Sequence, residues 1–468
     1  MPEARDSFTL GDTIVLPGET RHMRLPVSES YVSTQIEIPL TIINGMAEGP
    51  IVFVCAASHG DECNGTGIAR ELVYGVDHSN LRGVLVVAPV LNLPGFLRNE
   101  RDLPDGRDLN RNFPGKPDGN SAQRIANAIF TKMVQKCDYG IDLHTATRGR
   151  SNILQVRGDM SNTEVRRIAR AFGSEIIIDE PGLAGTLRRA STESGIPTIT
   201  AEIGESQRFE KELVKSGLLG VLNVLHELGM LKGKQVPPIF QVIVKKTEWV
   251  RANKGGILEM ITEPRGLVSE GEELCTVTNP FGKEVGTVRA PFTGMVVGIT
   301  NYPMVSPGSP ICHLVKLDRT LATVEAALRK EMEAGKRPGA QTTQDKPEVA
   351  SAQGLAVPSA PAAEAGLPAA APQPPEPGSL SPPLSLSPPA AGTLEEQGEI
   401  DDRPLKPDKG PKKERKGKKE PARKEAPVVE DRKGGPAEGA LIGEQEADAR
   451  QSAYYEDYDE DAEPEEKE

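Results

Sequence analysis

The sequence has no long apolar run; none approaches the roughly 20 residues that a membrane-spanning helix needs, so no helical span is expected. Its first residues, MPEARDSFTL, lack the apolar centre of a secretion signal, and the expected location is therefore cytoplasmic with no membrane partner. Cysteine is scarce too. Cys55, Cys63, Cys137, Cys275 and Cys312 are odd in number, far apart and never paired as C-x-x-C, which argues against a disulfide framework and against a thiolate zinc site. The stretch 335–468 has no Phe, Trp, His or Cys, holds 20 of the 40 prolines, and carries 18 basic against 28 acidic residues. So little large apolar surface cannot offset the entropy of ordering, and this part reads as a disordered low-complexity tail. The remaining 334 residues hold 37 basic and 40 acidic side chains, too nearly neutral for a nucleic-acid footprint. The basic run Lys412 to Lys419 lies in the tail among acidic neighbours. No nucleic-acid partner is expected, the tail's partner stays unnamed, and a homo-oligomer stays open.

What is present begins with periodicity. After an N-terminal arm (1–30), residues 31–234 alternate short apolar runs such as PIVFVCAA and GVLVVAPV with amphipathic stretches such as SAQRIANAIFTKMVQKC. This pattern predicts an α/β fold: a mainly parallel mixed sheet with helices on both faces, since the apolar runs do not alternate with polar residues. Over 235–320 the style changes to short strands broken by glycine and proline, as in GLVSEGEELCTVTN and GKEVGTVRAP, which predicts a small all-β domain. A short helix is expected over 321–334, with the tail from 335 to 468.

Chemistry concentrates in four places. Ser58-His59-Gly60-Asp61-Glu62 follows an apolar strand directly, and the carboxyl ends of such strands open onto the functional crevice of an open α/β sheet. A His and a Glu three apart on a turn can aim at one cation, although H-x-x-E alone is a weak signal. His144, in Tyr139-Gly140-Ile141-Asp142-Leu143-His144, stands in the same setting, and two histidines with one glutamate make a recognised catalytic zinc set. Between them lies the loop LNLPGFLRNERDLPDGRDLNRNFPG, dense in Arg, Asp and Asn. Arg101 and Arg111 offer cationic forks for a carboxylate or oxyanion, Asn110 an amide donor, and Asp108 a carboxylate able to orient a metal-bound imidazole. The run Ile199-Thr200-Ala201-Glu202 ends in an acid that can serve as a general base, with Glu205 the competing choice. His22, His78, His226 and His313 read as surface or satisfied core residues.

H-G-D-E, R-D-L-P-D-G-R-D-L-N-R-N-F-P-G, D-L-H-T and A-E-I-G, in this order, resemble the succinylglutamate desuccinylase/aspartoacylase family of zinc hydrolases, which is related to the zinc carboxypeptidases. The resemblance covers roughly residues 30 to 320. It implies one Zn(2+) per chain on His59, Glu62 and His144, with Glu202 as general base. It also implies that Arg101 polarises the scissile carbonyl and that Asn110 and Arg111 hold a carboxylate of a small N-acylated substrate. The activity it implies is amide hydrolysis of an N-acyl amino acid. A further arginine is expected between the second histidine and the base; Arg188 fits best by position, while Arg148 and Arg189 compete. Thr145 stands where aspartoacylases usually have Asn, which puts their acyl preference in doubt. The β domain resembles a barrel-sandwich of the biotinyl/lipoyl type through Ala290-Pro291-Phe292-Thr293-Gly294; Lys283, flanked by Gly282 and Glu284 rather than methionines, reads as a turn lysine. Two other readings stay open: a zinc carboxypeptidase acting on peptide or cell-wall fragments, and a catalytically silent scaffold whose tail recruits partners.

Overall fold

A computed structural model describes residues 5–317 and 321–333; the tail from 335 onward lies outside the described residues. The N-terminal arm contributes β1 (Phe8–Leu10), β2 (Thr13–Val15) and β3 (Glu19–Glu29). Next come β4 (Gln35–Asn44), β5 (Ala47–Ala56), α1 (Asn64–Gly75), β6 (Arg82–Ala88), α2 (Leu93–Arg98) and α3 (Ser121–Lys132). The chain continues through β7 (Tyr139–Ala146), β8 (Arg150–Gly158), α4 (Thr163–Phe172), β9 (Ile176–Asp179), α5 (Leu187–Glu193), β10 (Thr198–Glu205) and α6 (Lys211–Glu227). Short strands then follow as β11 (Val242–Val244), β12 (Thr247–Arg251), β13 (Gly256–Met260), β14 (Leu267–Val268) and β15 (Glu273–Thr278). They end with β16 (Glu284–Arg289), β17 (Gly294–Thr300), β18 (Met304–Val305) and β19 (Pro310–Lys316), before α7 (Leu321–Glu333).

One mixed sheet runs in the order β12-β19-β17-β8-β10-β7-β5-β6-β4-β3. Its centre, β10-β7-β5-β6, is parallel. Within 31–234 parallel pairings prevail, the exceptions being β8, antiparallel on β10, and β4, antiparallel on β6; β3 of the N-terminal arm then runs antiparallel on β4. The unalternating apolar runs identify only the doubly covered centre, where both faces are buried. In β5, Phe53 and Cys55 enter the core under α3 and α5, while Val52, Val54 and Ala56 enter the opposite core under α1, α4 and α6. This period of two places helices on both faces of the sheet. Local chemistry starts the helices: Asn120 and Gln123 form a reciprocal cap at the head of α3, and the Asn162 side chain accepts from two backbone amides of α4.

Beyond residue 235 the sheet does not break. β11 pairs in parallel with β9, and β17 pairs antiparallel with β8, so strands from the all-β region extend the same sheet through β19 to β12. A second, four-stranded sheet in the order β16-β15-β13-β18 shares an apolar core with these strands, including Leu274, Val277, Val296, Ile311 and Leu314. Lys283 sits in the turn between β15 and β16, where its amide donates to Asn279 Oδ1 at 3.0 Å. Arg265 joins three regions: its guanidinium lies 2.7 and 2.6 Å from the two carboxylate oxygens of Glu175 beside β9, and 2.8 Å from Glu331 on α7, all with little exposure.

Candidate active site

The chain turns sharply as β5 ends. Ala57 takes a left-handed φ of 47°, and the strand end is pinned by the next connection, where Leu91 N donates to Ala56 O (3.0 Å) and Asn92 N to Ala57 O (2.8 Å). Gly60 passes so close to α2 that a Cβ there would lie 2.1 Å from the Gly95 backbone, which only glycine permits. Its amide and the Asn92 side chain both donate to the Arg101 carbonyl, at 3.1 and 3.0 Å, and this fixes the polar loop against the turn. His59 and Glu62 therefore face the crevice at the carboxyl end of β5, with His144 at the end of the neighbouring β7.

Glu62 lies between the two imidazoles. His59 Nδ1 stands 2.7 Å from one carboxylate oxygen and His144 Nδ1 2.9 Å from the other, which also accepts the Thr145 amide at 2.9 Å. Each ring's outer nitrogen meets a second carboxylate: His59 Nε2 is 3.0 Å from Asp108, and His144 Nε2 is 2.9 Å from Asp142. Burial disfavours charge on His59, His144, Glu62 and Asp108, yet attraction between opposite charges wins. Asp142 and Glu62 raise His144 well above its ordinary pKa; Asp108 and Glu62 outweigh burial and Arg101 to raise His59. The imidazoles hold Glu62 below the ordinary carboxylate range, and His59 with Arg101 holds Asp108 there too. Potential ligand atoms of His59, Glu62 and His144 lie within 4.8 Å of one another, and all three residues are buried. Two imidazoles and one carboxylate, each imidazole steadied by a further carboxylate, form a donor set that suits a divalent cation such as zinc.

Register carries the site across the sheet. Cross-strand partners share a face, so Cys55, Asp142, Thr200 and Arg157 form one row over β5, β7, β10 and β8, while His144 opposes Glu202 in the next. The Glu202 carboxylate accepts from Asn152 Nδ2 at 3.3 Å and faces Arg157 Nε at 3.9 Å. Glu205 does not line the cleft; it pairs with Arg208 at 3.2 Å.

His59, Glu62, His144, Thr200, Glu202, Asn152 and Arg157 line one cleft. Arg101 reaches Glu62 at 3.1 Å and Asp108 at 3.2 Å. Asn110 uses its oxygen to accept the Leu187 amide at the head of α5 (2.8 Å), so its NH₂ faces the cleft near His144. Arg111 lines the same wall. Of the three competing arginines, Arg188 lines the cleft, donating to Thr200 at 2.9 Å and lying 3.4 Å from Glu180, whereas Arg148 and Arg189 do not. Sequence reasoning passed over Asp142, Asn152, Arg150, Arg157, Glu180 and Trp249, although Asp142, two before His144 on a strand, was detectable from period two alone.

Residues 48–228 match the model of the succinylglutamate desuccinylase/aspartoacylase catalytic domain. These residues make up a succinylglutamate desuccinylase/aspartoacylase catalytic domain. The chain's similarity to the N-alpha-acetyl-L-2,4-diaminobutyric acid deacetylase of Halomonas elongata is 26% identity over 318 residues, covering 64% of this chain and 92% of that protein. Among solved structures of the family fold, the product-bound ectoine utilization protein EutE of Ruegeria pomeroyi superposes with a TM-score of 0.59 at 23% identity, covering 68% of this chain and 98% of that one. A succinylglutamate desuccinylase/aspartoacylase from Rhodobacter sphaeroides gives 0.58 at 23%, covering 64% and 95%. The succinylglutamate desuccinylase/aspartoacylase fold thus extends over the β strands beyond residue 235.

Proposed function

We propose that the protein hydrolyses the amide bond of an N-acyl amino acid or a related small carboxylate, as a zinc-dependent cytoplasmic amidohydrolase. The observation that carries this reading is the register His144↔Glu202, which sets a strand-end acid beside the His59, Glu62 and His144 cluster in one cleft with Arg101, Asn110 and Arg111. His59, Glu62 and His144 would hold the cation, one per chain. Such an ion lowers the pKa of water and polarises a carbonyl.

Every other role falls to the chain. Glu202 takes a proton from the attacking water onto its carboxylate and delivers it to the leaving nitrogen as the amide C–N bond breaks, one group serving both half-steps. Its neighbours Asn152 and Arg157 fix its direction. Arg101, braced by Glu62 and Asp108, presents N–H groups to the oxygen where negative charge grows. The Asn110 NH₂ and the Arg111 guanidinium dock a substrate carboxylate, and Arg188 closes the floor beside Thr200. The diaminobutyrate relative, named as a deacetylase, supports this substrate class. Residues 31–234 would then be the catalytic domain, and 235–320 a barrel-sandwich-like module that completes the cleft. Trp249 from that module walls the cleft, which disfavours a peptide chain passing through and hence the carboxypeptidase reading.

The test is a screen of metal-replete protein against N-acetyl, N-succinyl and N-formyl amino acids for amine release. Glu202→Gln should keep metal and fold yet lose turnover by about 10²-fold or more. Metal content well under one equivalent, with no amine released, would favour the scaffold reading instead.

A further inference from the structure

Strand register sets Cys55 of β5 opposite Asp142 of β7, and the thiol has no part in the arrangement above. His144 faces Glu62 through Nδ1, so as a cation ligand on that side it carries its proton on Nε2. Asp142 Oδ2 stands 2.9 Å from Nε2 and Ser58 Oγ 3.2 Å; of the two, the carboxylate is the stronger acceptor. The brace therefore depends on how the Asp142 carboxylate is rotated. The last torsion of an aspartate is broad and roughly two-fold, so the rotamer alone does not fix it. Asp142 is fully buried, and bulk water does not reach its second oxygen. Among the described residues, the donor that meets this oxygen is the Cys55 thiol, with Sγ 3.4 Å from Oδ1. Burial and the Asp142 charge push the thiol well above its ordinary pKa, so it keeps the proton it donates. Cys63 and Cys137, by contrast, donate to backbone carbonyls, those of Asp61 at 3.6 Å and Met133 at 3.5 Å.

We infer that Cys55 is a positioning residue: its thiol, by donating to Asp142 Oδ1, holds the carboxylate so that Oδ2 faces His144 Nε2, and so sets the orientation of the imidazole offered to the cation. Cys55 does not line the cleft and acts through two other side chains. Within the strand PIVFVCAA its position reads as one more core hydrophobe on the face shared with Phe53. A hydrophobe there would leave one oxygen of a buried carboxylate without a donor, which is costly for a charged group. The inference rests on the metal half of the proposed function and needs no substrate.

The test is the zinc affinity of the full-length protein, measured by competition with a chromophoric chelator, for the parent chain, Cys55→Ser and Cys55→Val. Serine keeps a donor in less volume, whereas valine keeps apolar bulk without a donor. Cys55→Val should lower zinc affinity about tenfold, the low end of the range for groups that support a metal ligand from outside, and Cys55→Ser should stay within about threefold of the parent. A role in packing alone would reverse that order. Cys55→Ala, smaller and also without a donor, should match Cys55→Val and replaces it if the larger side chain does not fit. Asp142→Ala removes the acceptor, and adding Cys55→Val to it should change zinc affinity by less than about twofold. Should Asp142→Ala not fold, the comparison of serine with valine decides alone. A valine variant that binds zinc as tightly as the parent, a serine variant no better than valine, or a full tenfold loss on top of Asp142→Ala overturns the role of Cys55. A parent protein that binds no zinc removes the metal reading and this inference with it. The ordered losses in zinc affinity, without amine release from any N-acyl amino acid, would sink the amidohydrolase reading and leave the assignment of Cys55 standing.

Discussion

His59, Glu62 and His144 sit at the ends of two adjacent parallel strands of the central sheet, with Asp142 beside His144 and Asp108 beside His59, whereas Trp249 reaches Arg150 from a strand beyond residue 235. At the first end of the cleft the geometry follows from strand register and a tight turn, and the buried carboxylates fix each imidazole. At the other end it depends on strands beyond residue 235 extending the same sheet through β17 and β8. The difference teaches that the first end is set by the parallel centre of the sheet alone, while the other needs a second set of strands to be added to its edge.

The strongest way to break the contrast is to remove the first end. His144→Ala should abolish turnover and metal retention, measured by elemental analysis, while the fold persists because Glu62 and His59 come from a separate turn. Asp142→Asn keeps the ligand but loses its brace, and metal affinity measured against a chelator should fall by about 10- to 100-fold. Unchanged affinity would mean that Asp142 does not orient His144.

The next test asks whether the β region is fastened as firmly as the register suggests. Arg265→Ala leaves Glu175 and Glu331 without their shared cation and should cost about 3 kcal/mol in chemical unfolding, the scale for breaking a buried ion pair. Burial already pushes the Glu175 pKa above its ordinary value even with Arg265 present. A raised acid favours the folded state below its unfolded pKa and loses that advantage as pH rises through the folded value. The deficit of Arg265→Ala should therefore be larger at neutral pH than near pH 4, and the opposite trend would contradict the assignment.

A smaller effect sharpens the division of labour within the cleft. Arg111→Ala should raise KM about tenfold with kcat little changed, because a docked carboxylate is bound alike in ground and transition states. A loss confined to kcat would move Arg111 into the chemistry. Smallest of all, removing the residues after Ala334 should leave kcat/KM within about twofold, since their composition gives little apolar surface to pack and every proposed site residue precedes them.

Composition, apolar runs and turn residues carried the α/β character, the change of style near 235 and the motifs that hold His59, Glu62, His144 and Glu202. These features repeat every two or four residues, and local sequence records such short periods faithfully. Asp142 belonged to the same legible class. Arg157, Asn152 and Glu180 did not, because their place in the cleft depends on β8 reversing against β10 and on the register that results. Trp249 left no local mark of its role: Glu248-Trp249-Val250 reads as any strand, and only the pairing of β12 on β19, and of β17 on β8, brings that ring to Arg150. The sequence by itself determined which residues could hold a cation and move a proton, because those ligands come from short motifs at strand ends. Tertiary structure alone decided what lies opposite them, because backbone hydrogen bonds between strands set register and direction through partners that the neighbouring residues do not specify.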